Sequence, residues 1–461
     1  MTVTTTEHGR HADRRRAEVA RRLTRAERRT ARREAEAEAA AEAAGHAEAH
    51  ELPPHRELVR RRLAEYARRI DLAALVEEHG TPLLLLEPDA ITAQLLELRQ
   101  QLPGAHIHVA LKALPHRALI RAVDDFGAGF DVASRGELDL LEREGVDLTR
   151  CVHTHPVKSA AELTGAYLRG VRTFVVDDAG EVDKFSGLPS DARVLVRLSF
   201  PNADAASDLS AKFGVAPDAA PALVEHCLRA GREVAGFTFH VGSQTTSARP
   251  WQHAIGRTLR LMRDLEGRFG IAFDTLDIGG GFPVAYDEPV PGLGVIAHGI
   301  REALAAAPAR YRVIVEPGRF VTAPAMTLAT RVIGTSERAD GRWAHLDDGV
   351  YGSYSNIPAE GVHALLFHAS ELTERPPSDE ATERAVRRLR ERAFEAVTLA
   401  GPTCDSVDVI ARGAALPRLA AGDLLVSPMM GAYTWATATG FNGIDRTPIH
   451  VLGRDGQPAA H

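Results

Sequence analysis

The run His108-Val109-Ala110-Leu111-Lys112-Ala113-Leu114-Pro115 sets a lysine at the close of an apolar stretch that reads as a buried strand. An amine withdrawn from water releases its proton more easily, and a neutral amine is what imine chemistry with a carbonyl requires. Strands also end in lysines that merely reach back to solvent, so the surroundings of Lys112 decide between the two. Seven further β-rich runs follow it: Phe130 to Ser134, Cys151 to His155, Phe174 to Asp177, Val194 to Leu198, Phe237 to Val241, Leu276 to Gly279 and Val313 to Glu316. Amphipathic stretches such as Gly136 to Glu144, Ser159 to Arg169, Pro221 to Ala230 and His253 to Phe269 separate them. Strict alternation over eight strands predicts parallel β/α units closed into a (β/α)8 TIM barrel, an α/β fold. Such a barrel gathers its chemistry where each strand meets the loop after it. Lys112, Asp131, Ser134, Arg197, His240, Ser243, Gly279-Gly280-Gly281 and the segment Glu316 to Arg319 all fall there.

The rhythm changes after residue 325, where shorter strand-like runs at Thr327 to Ile333, Trp343 to Leu346, Leu424 to Ser427 and Ile449 to Leu452 predict a separate β-rich domain. Residues 51–87 read as a lead-in contributing to that domain, 88–325 as the barrel and 326–461 as the β-rich part. Residues 1–50 are rich in Ala, Glu and Arg but poor in large apolar side chains, so this tail is expected to be a solvated helix or disordered.

A chain of 461 residues with 44% apolar and 25% charged content fits a globular enzyme. It has neither an apolar run near the roughly 18 residues of a membrane span nor the short apolar core of a secretory signal. A cytoplasmic location is expected, with no membrane partner. The net charge of −7 also argues against a nucleic-acid partner. Cys151, Cys227 and Cys404 make neither a disulfide framework nor a metal-ligand spacing, so a functional cysteine here acts as a thiol. His106 with His108, and His153 with His155, lack a third ligand and read as barrel or site-lining histidines, His155 being open to substrate contact.

Gly279-Gly280-Gly281 reads equally as a tight turn or as a loop whose backbone N–H groups can approach an anion, and it is not a dinucleotide fingerprint. Glu316-Pro317-Gly318-Arg319 flanks a turn with a carboxylate and a guanidinium; Gly401-Pro402-Thr403-Cys404-Asp405 puts a thiol beside a carboxylate. In order, Ala110 to Ala113, Phe130 to Ser134, His240 to Ser243, Asp277 to Pro283, Glu316 to Arg319, Gly401 to Asp405 and Gly431-Ala432-Tyr433-Thr434 resemble the fold-type III pyridoxal phosphate decarboxylases. That is the ornithine and diaminopimelate decarboxylase family, and the likeness spans roughly residues 80 to 452. It implies an alanine-racemase-like barrel, a C-terminal β-rich domain, and a head-to-tail homodimer with shared active sites acting on a small amino acid.

The resemblance further implies that Lys112 holds pyridoxal 5'-phosphate through an imine, that His240 stacks on its ring and that Glu316 pairs with the pyridine nitrogen. Ser243, Gly280 and Gly281 in the glycine loop, Gly318 and Arg319 would grip the phosphate, Tyr433 would reach it from the β-rich domain, and Asp131 and Arg197 would line the same site. Cys404 resembles the family's proton donor, and a thiol, ordinarily ionising near pH 8.5, still carries its proton at neutral pH. Racemases of this fold lack that cysteine motif, which favours decarboxylation. Asp405 resembles the carboxylate that meets the distal ammonium of ornithine or lysine, and Cys404-Asp405-Ser406 with Phe441-Asn442-Gly443 looks like the ornithine branch rather than the diaminopimelate one. In the family pattern a Tyr-Asp pair follows Asp348 to Ser353, and here it falls on Ala359-Glu360; the usual asparagine after the cofactor lysine is Leu114. These departures leave a related or carrier-tethered amino acid, diaminopimelate, or a non-catalytic regulatory role as alternatives. An extra stretch between Glu360 and Cys404 is expected to start a helix at Ser378-Asp379-Glu380, with Val386, Leu389, Ala393 and Val397 as its apolar stripe.

Overall fold

The computed structural model describes residues 54–202, 205–372 and 394–453. Eight parallel strands close a barrel: β2 (His106–Ala110), β3 (Gly129–Val132), β4 (Cys151–His153), β5 (Thr173–Val176), β6 (Arg193–Leu198), β7 (Val234–Phe239), β8 (Thr275–Asp277) and β9 (Arg312–Val315), with β9 pairing back to β2. Each is buried on both faces, which explains their near-continuous apolar runs. Val194 and Val196 of β6 pack outward with the helix-facing core, whereas Leu195 joins Val152, Val175, Ala235 and Ile314 inside the barrel. The helices between strands start on local caps: Ser134 accepts from the Glu137 N–H before the helix Arg135–Arg143, and Ser159 with Glu162 forms a capping box before Ala160–Leu168. Ser134 thus ends its strand as a cap rather than as a group of the site. Lys112 lies one step past the strand in which it was expected, because β2 ends at Ala110 and a 3-10 turn covers Leu111–Ala113.

The second sheet runs β12 (Phe367–His368), β15 (Leu424–Ser427), β10 (Met326–Arg338), β11 (Gly341–Leu346), β13 (Phe394–Ala400) and β14 (Val409–Pro417). The strand β1 (Leu83–Leu86), before the barrel in sequence, pairs antiparallel with β10 and parallel with β16 (Ile449–Val451). Its four leucines alternate between two cores: Leu84 and Leu86 join the main core, Leu83 and Leu85 the one under the N-terminal helices Pro54–Arg69 and Leu72–His79.

The helix expected after Glu360 needs correction at its end. Ser378 to Ala393 lies outside the described residues, but Val397 belongs to β13, where it pairs with Arg342 of β11 and Ala414 of β14. Four-residue spacing from Ala393 to Val397 satisfies a helix stripe equally well, and the pairing on both edges decides for the strand. Among the described residues no helix is long and apolar enough to cross a membrane.

Two measurements test this packing. Leu84→Ala, at a fully buried site between β10 and β16, should lower unfolding free energy by about 2–5 kcal/mol in a denaturant titration, whereas Val157→Ala, at a residue 51% exposed, should change it by less than about 0.5 kcal/mol. Burial, helped by Arg312 and Lys158 respectively, pushes the imidazoles of His108 and His153 down to about 3 and about 4. Below about pH 6.5 the unfolded chain therefore takes up protons that the fold refuses, so these groups make stability fall as pH drops toward 4. A His108→Asn variant should show that slope reduced by up to ~1.4 kcal/mol per pH unit.

Candidate active site

At the C-terminal ends of the barrel strands lies a cavity of about 200 Å³. Lys112, Asp131, Arg197, His240, Ser243, Gly281, Glu316, Gly318, Arg319, Glu360 and Tyr433 all line it. Gly280 backs it, since a Cβ there would stand 2.3 Å from the Glu316 carbonyl oxygen and 3.3 Å from His240 Nε2. Cys404 and Asp405 are not among its lining residues.

Lys112 stands in this cavity with 48% of its side chain exposed, and its Nζ donates to Asp131 Oδ2 at 2.8 Å. Asp131 is buried and its other oxygen accepts from Thr154 Oγ1. Burial alone would make Lys112 a weaker base, but the Asp131 carboxylate in contact with it outweighs burial and holds the ammonium above the ordinary lysine range. The expectation of an easily deprotonated Lys112 is therefore corrected: at rest it is one half of an ion pair. His240 differs. Burial, then Arg197 and Lys112, push it down to about 3, so its ring is neutral, and Nδ1 accepts from the Gly242 N–H at 2.9 Å.

Glu316 closes β9 with its proton affinity raised well above that of an ordinary carboxyl, first by burial, then by Asp277 and Asp131. Its Oε1 has no hydrogen-bond partner, and neither has Arg319 Nε. Arg319 Nη1 donates to the Tyr286 hydroxyl at 2.7 Å, its guanidinium lies 5.1 Å from the Tyr433 ring centre, and Nη2 contacts the Glu360 carboxylate. Gly318 packs against the Tyr433 hydroxyl, which would have to shift to admit a Cβ there, since the two would stand 2.8 Å apart. Tyr433 N–H in turn bonds the Ala113 carbonyl at 3.0 Å, tying the loop after β15 to the turn that carries Lys112. Unpaired buried groups of both signs, with glycine backbone beside them, suit a ligand that brings an anion at one end and a ring nitrogen at the other.

A second group of predicted residues sits on the surface of the β-rich sheet. Cys404 is exposed, with Sγ 3.6 Å from Asn442 Oδ1. Tyr351 stacks on Phe441 at 4.5 Å and its hydroxyl donates to Asp405 Oδ2 at 2.5 Å. That bond and the Val407 N–H hold the Asp405 carboxyl below its usual range.

Sequence reasoning gave no role to Asp277, Thr154 or Tyr286. Asp277 and Thr154 had a signal, as polar residues ending barrel strands; Tyr286 lies in the loop after the glycine run, where no periodicity marks it.

Residues 88–323 match the family model for the pyridoxal binding domain of pyridoxal-dependent decarboxylases. The chain is 34% identical to a lysine/ornithine decarboxylase of Selenomonas ruminantium, covering 83% of this chain and 92% of that one. It is 30% identical to antizyme inhibitor 2 of Xenopus laevis, covering 77% of each. The solved lysine/ornithine decarboxylase of Vibrio vulnificus in complex with cadaverine superposes with a TM-score of 0.75 at 39% identity, covering 83% of this chain and 98% of that one. The barrel, its glycine-backed cavity and these matches agree, and the chain belongs to the pyridoxal-dependent decarboxylase family, on its ornithine decarboxylase branch.

Proposed function

We propose that this protein decarboxylates a basic amino acid, L-ornithine to putrescine or L-lysine to cadaverine, with pyridoxal 5'-phosphate as cofactor. The carrying observation is the convergence of Lys112, the buried Glu316 carboxyl, the buried Arg319 and the glycine loop on one cavity. Lys112 would hold the cofactor's carbonyl carbon, Glu316 its ring nitrogen, and Gly280, Gly281, Ser243, Gly318, Arg319 and Tyr433 its phosphate. Bound there, the cofactor supplies a protonated ring that takes up the electron pair left at Cα when carbon dioxide departs. Lys112 must shed its proton before its amine can bond, and Asp131, 2.8 Å away, is placed to accept it. A neutral His240 flanks the ring without adding charge that would compete with it.

Return of a proton to Cα falls to the Cys404 thiol. Since Cys404 and Asp405 do not line the cavity of their own chain, the reading includes a homodimer in which each subunit presents them to the other. Val407 at 63%, Phe441 at 39% and Ile444 at 38% exposure surround this loop with apolar surface suited to burial in such an interface. Asp405 and Glu360 are the carboxylates for the distal ammonium of the substrate. Residues 51–87, 88–325 and 326–461 act as lead-in, cofactor-binding barrel and β-rich domain, in a cytoplasmic enzyme. Retention of Lys112 and Cys404 together speaks against a regulatory homologue without catalysis.

Protein mixed with pyridoxal phosphate should acquire a visible absorbance band, lose it in Lys112→Ala, and release carbon dioxide from ornithine or lysine; no band in the unaltered protein would refute the enzyme reading. Lys112→Ala and Cys404→Ala should each be inactive alone, yet recover about a quarter of full activity when mixed, because random reassortment leaves one intact site in half of the dimers. No recovery in verified mixed dimers would show that the sites are not shared.

A further inference from the structure

Asp277 ends β8, behind the Gly279 turn, and is fully buried. Its Oδ1 accepts from the Gly279 N–H at 2.9 Å, while the Glu316 N–H donates to the Gly279 carbonyl at 2.8 Å, so the first glycine of the loop is held from both sides. Its Oδ2 has no hydrogen-bond donor, and neither has Glu316 Oε1. The two carboxyl groups are within hydrogen-bonding reach of each other. Both ionised, they would be like charges in contact away from water; a single proton between them satisfies both unpaired oxygens at once.

The groups facing this pair point the same way. Asp131 adds a third negative charge, the Thr238 side chain lies beside Asp277 from β7, and Lys112, Arg197 and Arg312 supply the positive charges at longer range. Neutral His240 adds none. Lys112 is already committed to Asp131, and neither arginine hydrogen-bonds Asp277 or Glu316, so among the described residues no cation is in contact with the pair.

We propose that Asp277 is a positioning residue that shares one proton with Glu316 and carries it when Glu316 meets the cofactor's ring nitrogen as a carboxylate, while Oδ1 fixes the glycine loop. This rests on the reading of Glu316 given above. One buried carboxyl then orients both ends of the cofactor site, the ring end through Glu316 and the phosphate end through Gly279.

An amide distinguishes this from an ionised Asp277. In Asp277→Asn the amide oxygen can accept from Gly279 and the amide nitrogen can donate to Glu316, which reproduces a protonated carboxyl. Equilibrium titration of the cofactor-free protein with pyridoxal phosphate should give Asp277→Asn an affinity within about threefold of the unaltered protein. Asp277→Ala should bind at least about tenfold more weakly, the loss expected from leaving a buried donor and acceptor unpaired. Should the alanine variant not fold, infrared difference spectra of the cofactor-free protein decide: a protonated-carboxyl carbonyl stretch should be present in the unaltered protein and lost in Asp277→Asn. An asparagine variant as defective as alanine, an alanine variant that binds normally, or an absent carboxyl stretch would each overturn the role. Failure of the unaltered protein to take up cofactor would instead overturn the functional reading, and this role with it.

Discussion

The ion pair between Lys112 and Asp131 governs the barrel mouth, because it fixes the charge on the lysine that stands in the cavity, as the contact of Arg319 with Glu360 does for the guanidinium. Glu137, Asp277 and Glu316 stand near Asp131, and burial disfavours the ionised forms of these three. Glu137 is pushed up to about 6 by burial in spite of the Ala133 N–H that it accepts, Asp277 likewise to about 6, and Glu316 further. A core built for stability alone would place apolar side chains at such positions. Their retention here concentrates exchangeable protons around one lysine, which is what a site handling an amine and a carbanion needs.

Much of this was legible. The eight strands follow from the alternation of β-rich and amphipathic runs, since a strand buried on both faces can hide its apolar continuity nowhere else. The polar residues at strand ends located Lys112, Asp131, Arg197, His240 and Glu316 on one cavity. What stayed hidden depends on distant partners. Leu83 to Leu86 is too short a run to declare itself a strand, and becomes one through β10 and β16, hundreds of residues away. Val397 obeys helix and strand spacing alike until β11 and β14 flank it. The state of Lys112 could not be read from burial, because the sign of its shift is set by Asp131 across the β2–β3 boundary.

The β-rich sheet enters the site through few atoms. The Tyr433 hydroxyl packs against Gly318, and the Tyr433 N–H holds the Ala113 carbonyl, so the turn carrying Lys112 is braced from outside the barrel. Tyr433 is held at φ 55, a backbone region that a non-glycine residue enters only when its surroundings fix it. Placement of the two domains and placement of the reactive lysine are therefore one problem, solved by the same contact.

Glu360 and Asp405 meet the substrate from different electrostatic positions in the proposed reading. Asp405 is held by a neutral phenol and a backbone N–H, so its negative charge remains available to a distal ammonium. Glu360 is matched to Arg319, the guanidinium that a phosphate would also seek. A phosphate taking one edge of Arg319 competes with Glu360 for the same donors, while Tyr286 keeps its own. The carboxylate thereby released is then short of a cation, and the substrate's ammonium is the group that can supply it. In that reading cofactor binding and preference for a basic substrate would be coupled through one arginine.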